Sequence, residues 1–88
     1  MSLLEAPIVV GEFWANRKGE SVRVSIREFE GMVLLDVRKY YTGAEGKLLP
    51  TRKGLSITIR RLPDLARAIT KALITARELK LIRDEGSK

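Results

Sequence analysis

Val33-Leu34-Leu35-Asp36-Val37-Arg38-Lys39-Tyr40-Tyr41-Thr42-Gly43-Ala44-Glu45-Gly46-Lys47-Leu48-Leu49-Pro50-Thr51-Arg52-Lys53-Gly54-Leu55-Ser56-Ile57-Thr58-Ile59 consists of two strand-like runs joined by a connection rich in glycine, proline and charge. The lead-in is dense in β-branched and aromatic residues. The lead-out, Leu55 to Arg60, alternates cleanly and puts Leu55, Ile57 and Ile59 on one face. Both patterns favour strands, and Gly43, Gly46, Pro50 and Gly54 punctuate the path between them. Paired tyrosines end one strand, and Arg52-Lys53-Gly54 opens the next. Flat rings beside cations suit a flexible, charged strand that carries bases. The plainer reading is a hairpin with a solvated loop.

Working outward, Glu20 to Phe29 is the cleanest strand. Val22, Val24 and Ile26 share one face, and Ser21, Arg23, Ser25, Arg27 and Phe29 share the other. That parity puts Phe29 among cations, unless a twist or bulge near the strand end turns it inward. Glu30-Gly31 forms a tight turn into a third strand, from Met32 to about Thr42. Leu34 and Leu35 are both apolar there, as in a central, two-sided strand. Strict counting puts Tyr41 with Val33, Leu35 and Val37, and Arg38 with Asp36, where the two are able to form an ion pair. Before these strands, Pro7 to Trp14 reads as a first strand, and Asn16-Arg17-Lys18-Gly19 as a turn. The only tryptophan, Trp14, reads as core or dimer packing in preference to a ring that stacks on nucleic acid, because it lies in the least basic part of the chain. Arg17-Lys18-Gly19 loosely echoes Arg52-Lys53-Gly54.

Leu62-Pro63-Asp64 starts a helix, with proline in the first turn and an acid at the positive terminus. Strong helix formers continue to about Asp84, with Gly86 as the stop. Leu62, Leu65, Ile69, Ala72, Leu73, Ala76 and Leu79 form one apolar stripe, expected to cover the sheet. Ile74 and Leu81 project from roughly the opposite side and are candidates for a dimer interface. The expected architecture is α+β: a four-stranded antiparallel sheet over about 7–61, then one long helix over about 63–84. All 88 residues form a single domain.

Composition narrows the function. The net charge is +6, and it is unevenly placed. Residues 1–16 carry two acids and no cation, whereas residues 17–61 carry eleven Lys or Arg against five acids. The basic excess therefore belongs to the sheet. That suggests a polyanionic partner, against ordinary solubility charge as the plainer account. There is no cysteine and no histidine, which removes thiol nucleophiles, the commonest general base and the usual zinc ligands. Glu28, Glu30 and Asp36 lie near a hairpin but read as surface counter-charges, not a metal site. The glycines form no phosphate loop, because no Gly-Lys-Ser/Thr precedes a helix. No enzyme, cofactor or metal is expected. No apolar run reaches the length of a membrane span, and Met1 to Val10 lacks the basic start of a signal peptide. An intracellular location is expected, and a DNA-associated one if the polyanionic partner is nucleic acid. The scarcity of Asn and Gln fits a thermophilic source.

Ser25-Ile26-Arg27-Glu28-Phe29-Glu30-Gly31, Asp36-Val37-Arg38-Lys39-Tyr40-Tyr41, Glu45-Gly46-Lys47, Pro50 and Arg52-Lys53-Gly54-Leu55-Ser56 are collinear over half the chain. They resemble the signature of the transcriptional coactivator family called positive cofactor four, with its Whirly-like fold, from about Gly19 to Leu65. The resemblance implies a homodimer that binds single-stranded DNA. It supports Arg27, Phe29, Arg38, Tyr41, Arg52 and Lys53 by motif position, and puts Tyr41 where an aromatic, usually tryptophan, stacks on bases. Arg23 and Lys47 join the candidate site on charge and parity. Glu30 and Met32 depart from the family, which commonly has lysines flanking this turn. The expected partners are single-stranded DNA, with RNA or melted duplex as variants, and a second copy of the chain. The alternative is a module that docks the transcription machinery. A membrane-surface role is disfavoured, because the polar face of the helix is mixed in sign.

Overall fold

Period-two patterning builds the sheet. The computed structural model describes residues 4–83. Four strands, β1 (Ile8–Trp14), β2 (Glu20–Phe29), β3 (Met32–Thr42) and β4 (Leu48–Thr58), form one antiparallel sheet in the order β1-β2-β3-β4. A single helix follows, α1 (Leu62–Glu78). The β2–β3 pair is in register over its whole length, from Glu20 opposite Tyr41 to Phe29 opposite Met32. Its turn, Glu30-Gly31, has φ of 53° and 82°. Two positive values are what a two-residue hairpin with the right twist requires.

Two irregularities shape the sheet. In β1 the register slips between Val9 and Gly11, so that Val10 is the extra residue of a bulge. In β4 it slips opposite the Arg38-to-Tyr40 segment: Arg38 faces Gly54 and Tyr40 faces Pro50. Thr51, Arg52 and Lys53 are thus looped out of the ladder. β4 also begins earlier than the glycine and proline content suggests, at Leu48, leaving only a short 3-10 turn, Ala44–Gly46, in the connection. It ends earlier too, because Ile59–Arg61 is a 3-10 turn and not strand.

Antiparallel partners point to the same side of a sheet, so the register divides the residues into two faces. One carries Ile8, Phe13, Val22, Val24, Ile26, Val33, Leu35, Val37, Leu55 and Ile57. The other carries Glu12, Ser21, Arg23, Ser25, Arg27, Asp36, Arg38 and Ser56. Leu35 is the one buried apolar side chain among the described residues, and the other buried ones are Ser21, Ser25 and Asp36 of the polar face.

The helix departs from expectation in two ways. Its stripe does not cover the sheet of its own chain: Ile69, Leu73 and Leu79 are exposed, and α1 packs chiefly against the turn that precedes it. It also stops at Glu78, short of residue 84. Lys80 adopts φ 60°, the Leu81 amide donates to the Ala76 carbonyl (2.8 Å) and the Lys80 amide to Arg77 (3.0 Å). This is a Schellman termination built on a lysine in place of the usual glycine. Asp84 and Gly86 lie outside the described residues. Leu81 therefore falls beyond the helix, and it does not continue a helical face with Ile74. The Cα radius of gyration is 15.2 Å, against roughly 12 Å for a compact chain of this length.

Candidate nucleic-acid interface

The middle of the polar face is built on Asp36. Its carboxylate is 2% exposed and receives three hydrogen bonds: from Arg38 Nε (3.1 Å), Arg38 Nη2 (2.8 Å) and Ser56 Oγ (2.6 Å). Burial pushes the Asp36 carboxyl up. The bonds from Arg38 and Ser56, with the charges of Arg38 and Arg27, outweigh it and hold the group below its ordinary value. The same carboxylate raises Arg38 above its usual range. A third arm of Arg38, Nη1, donates to the Thr51 carbonyl (3.0 Å), while Thr51 Oγ1 donates to the Lys39 carbonyl (2.7 Å) and accepts from the Lys53 amide (3.1 Å). Arg38 therefore clamps the bulge that presents Arg52 and Lys53. Gly54 makes room for it: a Cβ there would lie 2.7 Å from the Val37 carbonyl oxygen and 3.0 Å from Arg38 Cζ.

Beside this clamp a groove of about 620 Å³ opens. Arg27, Phe29, Arg38 and Arg52 line it, with Leu34, Pro50 and Thr51. Phe29 is 55% exposed, on the same face as Arg27, as its parity implies. Four of the eight candidate residues thus meet in one groove. Arg27 and Arg52, together with Lys47 and Lys53, have no side-chain ion pair among the described residues, and all four are exposed.

The other candidates stand apart. Arg23 donates from Nε and Nη2 to Glu12 Oε2 (3.2 and 3.1 Å) and lies over the Tyr40 ring, 4.3 Å from its centroid. Lys47 sits at the end of the β3–β4 connection. Tyr41 keeps strict alternation: it pairs with Glu20 and Leu49 on the side of Leu35 and Val37, and is 43% exposed. The ring that shares the polar face is Tyr40. Lys39, on the side of Tyr41, pairs with Glu20 (3.2 Å), and a hydrogen bond from Asn16 and then Lys39 lower the Glu20 carboxyl. Sequence reasoning missed Thr51 and Ser56, the two hydroxyls that hold the clamp. Their spacing around the glycine, Thr51 and Ser56 flanking Gly54, was the available signal. Trp14, read as core or dimer packing, is 65% exposed in the single chain and so lies outside its core.

Among the described residues no group of three or more acidic side chains is drawn together to hold a metal, and no helix is long and apolar enough to cross a membrane. Residues 16–68 match the family described as Transcriptional Coactivator p15 (PC4). The chain belongs to the PC4 family. It is 44% identical over 48 residues to the RNA polymerase II transcriptional coactivator KELP of Arabidopsis thaliana, covering 54% of this chain and 28% of that protein. It is 39% identical over 54 residues to the coactivator KIWI of the same plant, covering 58% and 50%. The chain thus spans half or less of the length of these curated relatives. A PC4 homologue from Burkholderia pseudomallei K96243 shares the fold with TM-score 0.66 and 27% identity, over 88% of this chain and 99% of that one. The matched PC4 segment runs from the β1–β2 turn into the first turns of α1, and so contains all eight candidate residues.

Proposed function

We propose that this chain binds single-stranded DNA as a homodimer, without strong sequence preference, and serves as a DNA-associated transcription or genome-maintenance factor inside the cell. The observation that carries this reading is the groove that Arg27, Arg52 and the exposed Phe29 ring line together. Unpaired cations track a phosphate backbone while a ring stacks on bases. Lys47 and Lys53 extend the positive track, whereas Arg23 and Arg38 are already engaged and act on the ligand mainly by holding the surface in shape. Membership of the PC4 family supports the same conclusion. The role is one of binding and not of catalysis, in keeping with a chain that has neither histidine nor cysteine.

The homodimer rests on surface that one chain leaves uncovered. The accessible area is 7350 Å², against about 5200 Å² for a compact monomer of this mass. The apolar face of the sheet and the stripe of α1 are open in the same molecule, and a second copy would cover both. Ile74 is a further candidate contact on the opposite side of α1. Light scattering at micromolar concentration should give twice the chain mass.

The binding test is a salt series with a labelled single-stranded oligonucleotide. Log affinity should fall linearly with log salt, by about 0.7 for each phosphate contacted. Single-stranded DNA, RNA and duplex compared at one salt concentration give the preference. A second reading, docking onto the transcription machinery, is favoured by the exposed apolar residues Leu55 and Ile69. It predicts no oligonucleotide signal even at low salt.

A further inference from the structure

We infer that Trp14, with the basic turn beside it, forms a second base-stacking subsite at the opposite end of the polar face from Phe29. This rests on the single-strand-binding reading above. Strict alternation along β1 would put Trp14 with Ile8, on the apolar side. The extra residue of the bulge at Val10 shifts that phase, and Trp14 pairs with Ser21. Ser21 belongs to the face of Arg23, Arg27 and Phe29. The two exposed rings are separated by eight residues of β2, about 26 Å.

The surroundings of Trp14 fit a base and not a packed core. Across the sheet its row runs Trp14, Ser21, Tyr40. Tyr40 is already capped by Arg23, so Trp14 is the available ring. A groove of about 230 Å³ lined by Glu12, Phe13, Trp14, Ser21 and Leu48 lies on one side. Glu12 adds no uncompensated charge, because it is paired with Arg23. The Ser21 hydroxyl is 99% buried by residue area and has no hydrogen-bond partner among the described residues. Such a group is rare and calls for an explanation. On the other side a groove of about 460 Å³ is lined by Trp14, Asn16, Arg17 and Gly19. Arg17 and the neighbouring Lys18 are exposed and form no ion pair among the described residues. The echo of Arg17-Lys18-Gly19 with Arg52-Lys53-Gly54 thereby acquires a meaning: each sets one exposed arginine, Arg17 or Arg52, in a groove with an exposed ring. A continuous single strand would engage Phe29 and Arg52 at one end, and Trp14 and Arg17 at the other.

Trp14 is the only tryptophan, so its emission reports this position alone. The full chain is titrated with fluorescein-labelled dT16 while anisotropy and tryptophan emission are followed together. The expected result is quenching of Trp14 that saturates with the same Kd as the anisotropy. Trp14→Ala should weaken dT16 binding about 5- to 150-fold, the loss of one stacked base, and Trp14→Phe should retain most of the affinity. Saturating anisotropy with unchanged emission overturns the subsite and leaves the proposed function standing. No anisotropy change at low salt overturns both. If Trp14→Ala halves the mass in light scattering while the folded protein keeps its dT16 affinity, the ring belongs to a subunit contact and the inference fails. Should Trp14→Ala not fold, the wild-type quenching and Trp14→Phe still decide.

Discussion

The two faces of the sheet invert the usual arrangement of a small domain. Three of the four buried side chains among the described residues, Ser21, Ser25 and Asp36, lie on the polar face, while on the apolar face only Leu35 is buried and Val22, Val24, Ile26 and Val37 are partly covered. The reason is side-chain length. Arg38 lies along its own face against Asp36 and Ser56, gaining hydrogen bonds as it does so, and Arg23 lies over Tyr40 and pairs with Glu12. Valine and isoleucine cannot roof one another, and the helix that would cover them points elsewhere. The polar face is thus finished within one chain and ready for a ligand. The apolar face is left open by one chain, and in the proposed homodimer a second copy covers it.

The largest expected effect breaks the finished face. Asp36→Ala leaves Arg38 without its carboxylate and releases the bulge at Thr51. Removing one partner of a buried pair costs about 3–5 kcal/mol, and the partial exposure of Arg38 puts the loss near the lower figure. Urea denaturation should show it as a shifted midpoint with an unchanged slope. A midpoint within error of wild type would mean that the clamp is not what holds the face together.

The unfinished face is tested next. Leu73→Glu, in the helix stripe, should abolish dimerisation, since each large apolar side chain kept from burial forfeits about 1.5–3 kcal/mol and the contact occurs twice. Ile74→Glu should do less. If only Ile74→Glu yields a monomer by light scattering, the stripe is not the interface.

Phe29→Ala and Tyr41→Ala then contrast the faces directly. Phe29→Ala should lose about 1–3 kcal/mol of single-strand affinity, with a salt slope near wild type and little change in melting temperature. Tyr41, on the apolar side, should mainly lower the melting temperature. Loss of affinity in folded Tyr41→Ala would show that the strand end twists far enough to bring this ring to the ligand.

Acid separates the faces more gently. Because the Asp36 carboxyl titrates below its ordinary value of 3.8, its stabilising contribution is complete above that value. It is lost as pH falls from there through the lower folded value. Asp36→Asn should remove this part of the acid sensitivity, measured as the difference between wild-type and variant melting curves. The smallest effect concerns the free cations: Arg52→Ala with Lys53→Ala should leave the fold intact and flatten the salt slope by about 0.7 per lost phosphate contact.

Much of this was legible in the residues. Alternation in β2 fixed which side Phe29 shares with Arg27, because period two is a local property of an extended chain. Glu30-Gly31 announced its hairpin, and Asp36 and Arg38 announced their pair two residues apart on one strand. What the sequence left open depends on contacts between distant segments. An extra residue in β1, visible only once β1 is laid against β2, decides the face of Trp14. The looped-out Thr51 to Lys53 depends on Arg38 reaching across from β3, so its cations are aimed by a neighbouring strand. The end of α1 is set by Lys80 closing back on Arg77 and Leu81 on Ala76, a backbone geometry that helix propensity does not encode. The direction of α1 is decided last, by the 3-10 turn at Ile59–Arg61, which carries an apolar stripe legible in sequence away from the sheet it seemed made to cover.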